Sequence, residues 1–136
     1  MTLIVWNESM SVGVPEMDED HRQLVALLNL ADAILKAGKQ EDAVAILNRL
    51  LEETKLHFQR EEKLLDEIGF EGAEEHRQEH DHVLQTALQW QAHFHGGADL
   101  TLDNLTKFQT WFDAHVHGAD MQYGAFLKSK EKSLSH

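Results

Sequence analysis

Five histidines and two acids fall where a helical chain should be apolar: His21, His57, Glu61, His76, His80, His115 and Asp120. Burying one such group without a partner costs roughly 1 to 3 kcal/mol, and more for a charge. Seven together would unfold a small domain unless something satisfied them. Imidazole nitrogen and carboxylate oxygen are also donors that a transition-metal ion takes, and coordination offsets their desolvation. Taken singly, a core histidine is ordinarily a hydrogen-bonded packing residue. The spacing changes that expectation, because His57 with Glu61 and His76 with His80 are each four residues apart, on one helical face one turn from each other. Four helices each bring such groups to one apolar seam, which predicts a buried metal site.

The elements that must position these residues are readable from glycines and apolar periodicity. Pro15 and eight glycines punctuate a chain rich in Leu, Ala, Glu, Gln and Lys, and Gly38, Gly69 and Gly96-Gly97 divide it into four. The first helix is expected from an N-cap at Asp18, after an extended arm carrying Trp6, to about Ala37. The second runs from about Gln40 to Glu67 and stops at Gly69, with Phe70 placed for the apolar contact that follows a glycine C-cap. The third spans roughly Glu71 to Phe94 and the fourth roughly Thr101 to Leu127, with the tail from Lys128 to His136 expected to fray. Apolar and ligand-type residues alternate at three and four, as in Met17, His21, Leu24, Leu28, Ala31, Leu35 and Leu47, Leu50, Thr54, His57, Glu61, Leu64, Ile68. The third helix reads Ala73, His76, His80, Val83, Ala87, Trp90, Phe94. Short connections favour antiparallel neighbours, so the fold class is all-α, an antiparallel up-down-up-down four-helix bundle with an extended N-terminal arm, residues 1–136 forming one domain.

The fourth helix breaks the period. Leu105, Phe108, Phe112 and His115 keep the stripe, but Asp120 lies five residues beyond His115, a rotation of about 140° on a regular helix. Asp120, Tyr123 and Leu127 form a stripe displaced by one residue. A π-bulge supplies one added residue, so a local widening is predicted around Val116 to Ala119, beside Gly118.

Composition narrows the chemistry. A formal charge of -12 argues against a nucleic-acid or anionic-membrane surface. The absence of cysteine excludes disulfides, thiolate nucleophiles and thiolate-held clusters. Leu3 to Trp6 is a short apolar patch without a cationic leader, and no segment approaches the ~20 apolar residues of a membrane span, so a cytoplasmic protein with no membrane insertion is expected. His82, His93, His95, His117 and His136 fall off the seams and are expected at the surface or in loops. The acidic runs Asp18 to Asp20, Glu52-Glu53, Glu61-Glu62 and Glu74-Glu75 are expected on solvated faces or at helix N-termini, Glu61 excepted. Trp90, Trp111, Phe108, Phe112 and Tyr123 are expected in the core.

Five imidazoles and two carboxylates exceed what one ion takes and suit two. If both carboxylates bridge, an ion with three histidines and a shared oxo or hydroxo group has six donors, and an ion with two histidines has five. The vacancy would admit a small ligand. Calcium and magnesium favour oxygen donors. Zinc would accept this donor set, but a bridged pair with one open position suits iron better.

With these motifs in view, the chain resembles the hemerythrin family. The resemblance rests on Asp18-Glu19-Asp20-His21, on His57 with Glu61 in His-Phe-Gln-Arg-Glu, on His76 with His80 in His-Arg-Gln-Glu-His, and on His115 with Asp120 five later. Trp6 with Val12-Gly13-Val14 is similar to the bacterial single-domain form. The resemblance covers nearly the whole chain. It implies His76, His80 and His115 on one iron, His21 and His57 on the other, and Glu61 and Asp120 bridging both, giving two iron ions (Fe2+/Fe3+) per chain with an oxo or hydroxo bridge. Phe112 and Val116 fall where it implies the wall of an oxygen pocket, with Leu24 and Leu28 completing an apolar seam that keeps water away.

The function so implied is reversible dioxygen binding without catalysis, by a monomer serving oxygen transport, storage or delivery to an oxygen-consuming enzyme. Two other classes remain open at this point. Ferritin-like di-iron oxidases or peroxidases use oxygen for oxidation, but their sites are richer in carboxylate, with Glu-x-x-His pairs, whereas histidine here outnumbers carboxylate. An oxygen or redox sensor would need a partner protein, since no signalling module accompanies these motifs.

Overall fold

A computed structural model describes residues 6–134, with side chains through residue 129. Residues 1–5, which hold most of the apolar patch, and His136 lie outside the described residues. The architecture is an all-α four-helix bundle without strands among the described residues. Its rods are α1 (Pro15–Lys36), α2 (Gln40–Ile68), α3 (Ala73–His95) and a fourth formed by α4 (Leu102–His115), a π-helical turn (Val116–Asp120) and α5 (Met121–Leu134). α1 packs on α2 and α4, and α2 packs on α3.

The helix ends follow local chemistry. Pro15 opens α1, where its missing N–H costs nothing. Gly69 ends α2 at φ 68°, a left-handed position that favours glycine, and the Phe70 N–H returns to the Leu65 carbonyl. Thr101 and Asn104 cap α4 reciprocally. Gln40 clamps the loop before α4, its side chain donating to Leu100 O (3.0 Å) and accepting from Leu100 N (2.7 Å).

Four expectations need correction. Asp18 is not an N-cap but lies inside α1 and is buried; its carboxylate accepts from Val12 N (2.8 Å) and Ser11 Oγ (2.6 Å), pinning the arm to the bundle. The arm is not simply extended, since Glu8–Met10 form a 3-10 turn and Met10 and Val12 are buried. The third helix begins two residues late, at Ala73, after a turn in which Ala73 N bonds Phe70 O. The fourth rod does not end near Leu127, because α5 continues to Leu134.

The arm also explains Gly124. A Cβ there would lie 2.5 Å from the Val12 carbonyl oxygen, so only glycine lets the arm cross α5 this closely.

The core divides along the bundle axis. Toward the α1–α2 turn it is apolar, with Ala31, Ala43, Leu47, Leu50 and Leu105 at 0% exposure; each such leucine contributes roughly 1.5 to 3 kcal/mol by leaving water. At the other end Val12, Met17, Leu65 and Tyr123 form a smaller cluster, with Leu65 buried where Leu64 was expected to lead and Leu64 half-buried beside it. The polar residues sit between the two clusters. The fourth rod reaches them only because its register shifts, for the π-helical turn occupies Val116–Asp120 and carries Asp120 and Tyr123 onto the face that His115 and Phe112 began.

Candidate metal centre

All seven expected residues meet at this midpoint, and none is more than 6% exposed. α1 supplies His21, α2 supplies His57 and Glu61, α3 supplies His76 and His80, α4 supplies His115, and the π turn supplies Asp120. Donor atoms of Glu61, His76, His80, His115 and Asp120 lie within 4.8 Å of one another, as do those of His21, His57 and Glu61.

Each carboxylate divides its oxygens between two groups of histidines. Glu61 Oε1 meets Nε2 of His76 and, at 3.0 Å, Nε2 of His80; Oε2 lies 3.2 Å from His57 Nε2 and 4.0 Å from His21 Nε2. Asp120 Oδ1 is 3.0 Å from Nε2 of both His76 and His115, while Oδ2 is 3.2 Å from His21 Nε2. Within each group imidazole nitrogens face one another, His21 and His57 at 3.1 Å and His80 and His115 at 3.2 Å.

Protein contacts alone satisfy this arrangement poorly. Two facing imidazole nitrogens can share only one proton, and both Asp120 oxygens are buried with no neighbouring donor aligned for a hydrogen bond. A first-row transition-metal ion fits such a nitrogen and oxygen donor set and supplies the positive charge the oxygens lack.

Electrostatics shows the same demand. Burial lowers the pKa of His57, but hydrogen bonds to Asp20 and Glu61 and the charges of Glu61 and Asp120 outweigh it and push it up to about 9. Burial likewise opposes the charged form of His76, yet Asp120 and Glu61 raise it to about 10. His80 is lowered, chiefly by burial. Burial raises Glu61, but its contacts with His57, His76 and His80 hold it well below the carboxylate range. Burial and the Glu61 charge raise Asp120, and the facing imidazoles of His115, His21 and His76 bring it down past its ordinary value. The two buried carboxylates thus favour positive charge at His57 and His76, the charge a metal ion would also bring.

The supporting contacts were less legible. Asp20 was expected on a solvated face, yet its Oδ2 accepts from His57 Nδ1 (2.8 Å) and its two oxygens accept from Arg60 Nε and Nη2, both at 2.9 Å. Tyr123, expected in the core as packing or as a wall of the metal pocket, donates its hydroxyl to Glu61 Oε2 (3.0 Å). Phe58 lies flat on His80, with centroids 3.7 Å apart at 4°, and Trp111 stacks on His115 at 4.8 Å and 16°. The i+3 relation of Arg60 to His57 was the only available hint, and one helix cannot show which acid faces it. Phe112 and Val116 are buried at 3% and 0%, and Phe112 presents its edge to His21 at 5.6 Å. His82, His93, His95 and His117 are exposed.

Fold and site together define a four-helix bundle with a buried, histidine-rich cluster able to bind metal. Comparison with known proteins carries this further. A family model described as "Hemerythrin HHE cation binding domain" matches residues 12–127, and the chain belongs to the hemerythrin family. It is 31% identical to a hemerythrin-like protein of Naegleria gruberi over 90% of this chain and 92% of that one. It is 25% identical to a bacteriohemerythrin of Stenotrophomonas maltophilia over 95% of this chain and 84% of the relative. A wild-type hemerythrin crystal structure superposes with a TM-score of 0.87 at 23% identity, covering 90% of this chain and 96% of that one, and so shares the fold.

Proposed function

We propose that this protein binds dioxygen reversibly at a carboxylate-bridged pair of non-haem irons, as a carrier, store or delivery protein and not as an enzyme. The observation that carries this proposal is the division of each carboxylate between a three-histidine and a two-histidine group. His76, His80 and His115 would hold one iron, His21 and His57 the other, with Glu61 and Asp120 bridging and an oxo or hydroxo group shared between the two.

When bound, a ferrous pair supplies the two electrons with which dioxygen is held. The protein's part is to orient donors and exclude water. Asp20 fixes the His57 ring by accepting a hydrogen bond from Nδ1–H, which points Nε2 inward. Tyr123 holds Glu61 by donating to Oε2, so that carboxylate cannot rotate freely. The two-histidine side has one fewer nitrogen donor and would therefore be the side with room for a small ligand. Phe112 lies against His21 and shares one buried apolar cluster with Val116, Leu24 and Leu28, which would wall this side against water.

Among the described residues no helix is long and apolar enough to cross a membrane. A cytoplasmic monomer that passes oxygen to an oxygen-consuming enzyme is the setting we propose.

Anaerobic loading with ferrous ion, followed by cycles of oxygen and argon, tests the function. A carrier gives an optical spectrum that forms with oxygen and reverses on its removal. Irreversible oxidation within a single exposure, with product formed from an added reductant, would overturn it in favour of an oxidase.

A further inference from the structure

A cleft of about 600 Å3 opens between α3 and the π turn, lined by Glu75, His76, Glu79, His82, Trp111 and Gln122. His76 belongs both to this wall and to the buried cluster. Glu75, Glu79 and His82 recur at intervals of four and three, so they share one edge of α3 beside the face that bears His76 and His80. The three are exposed, whereas His76 is 3% exposed. Cation-binding side chains thus run from solvent to the cluster along one wall.

A second observation points the same way. His115 is buried, and its Nδ1 has no hydrogen bond; Glu79 Oε2 lies 3.9 Å from it. Trp111 lines the cleft and stacks on the His115 ring, so this wall of the cleft backs onto His115.

We propose that this cleft is the loading site for ferrous ion, where Glu75, Glu79 and His82 capture the cation from solvent and pass it to His76. The proposal rests on the reading of the cluster as an iron centre. Carboxylates in a concave, low-dielectric wall focus the field of a chain whose formal charge is -12 and raise the local cation concentration. His82, left outside the metal cluster, gains a role as a weak, exposed nitrogen donor on that path.

The test is the rate at which metal-free protein takes up ferrous ion under anaerobic conditions, read by rapid quenching with a chelator and iron assay. In the triple variant Glu75→Gln, Glu79→Gln, His82→Asn, initial uptake should slow about tenfold, within the range electrostatic focusing gives. Final iron content should equal that of the parent, and Glu75→Gln with His82→Asn, which leaves Glu79 beside His115 in place, should also slow uptake while keeping the parent's metal-dependent gain in Tm. Glu41→Gln with Asp42→Asn, which removes two carboxylates from the distant start of α2, should leave the rate unchanged. An unaltered rate in the triple variant, or equal slowing in the control, would overturn the route while leaving the iron centre intact. A parent protein that takes up no iron would overturn both.

Discussion

The two sides of the centre are held by different physics. On the two-histidine side, His57 is fixed by a hydrogen bond to Asp20, which Arg60 grips from the bundle surface. On the three-histidine side the rings of His80 and His115 are fixed by faces, those of Phe58 and Trp111, and their Nδ1 atoms have no hydrogen bond. A hydrogen-bonded imidazole is oriented and made more basic by its partner. The stacked imidazoles are oriented chiefly by packing, with the Glu62 and Glu79 carboxylates 3.7 and 3.9 Å from the Nδ1 atoms of His80 and His115, too far for a direct hydrogen bond. The difference therefore lies in His57, which alone among these rings has a direct Nδ1 hydrogen bond to a carboxylate, whereas the Nδ1 atoms of His21, His80 and His115 have none.

Removing what both sides share should have the largest effect. Glu61→Ala takes away a group in contact with histidines of both sides and with Tyr123, so iron content should fall close to zero by metal assay. His21→Ala, confined to one side, should weaken mainly one iron. Loss of a single iron in Glu61→Ala would break the symmetry claimed for that carboxylate. Next in size is metal removal: chelated protein should melt about 10 °C or more below the loaded form, as expected when a tight ligand leaves a small domain. Equal Tm values would contradict the fit of the cluster to metal.

Asp20→Asn sharpens the contrast between the sides. It should weaken the iron bound by His21 and His57 about 10- to 100-fold, the usual effect of losing a partner of a metal-bound histidine, and spare the other iron. Trp111→Ala, which removes a half-buried ring, should instead cost about 1 to 3 kcal/mol of folding stability, read by urea unfolding, with a smaller change in affinity. Equal loss at both irons in Asp20→Asn would remove the distinction.

The smallest predicted effect concerns pH in the metal-free protein. His57 and His76 are raised to about 9 and about 10 from an unfolded value near 6.5. Their stabilisation is fully present below that value and is lost as pH rises through 9 and 10. Glu61, depressed, contributes above its unfolded value and loses that contribution as pH falls. Metal-free protein should therefore lose stability between pH 7 and 10 by denaturant titration. The loaded protein should hold metal more tightly over the same rise, because binding displaces those protons.

How much was legible follows from the same contrast. The seven residues of the buried cluster were readable because each breaks an apolar period on its own helix, and the π turn because Asp120 and Tyr123 restart that period one residue late. The family was legible from the same motifs in order. Asp20 and Tyr123 were not assigned their roles, since those depend on which faces of different helices meet. Asp18 misled because an acid near a helix start resembles a cap, whereas here it anchors the chain behind it. Helix ends drifted by a few residues where glycine turns carry extra turn bonds, as between Gly69 and Ala73.

The central claim is tested most directly by anomalous diffraction at the iron edge from crystals of the loaded protein. Two peaks about 3.5 Å apart, the spacing of bridged metal pairs, should appear. One should lie among His76, His80 and His115 and the other between His21 and His57, with Glu61 and Asp120 spanning them. A single peak, or a pair not spanned by those carboxylates, would contradict it.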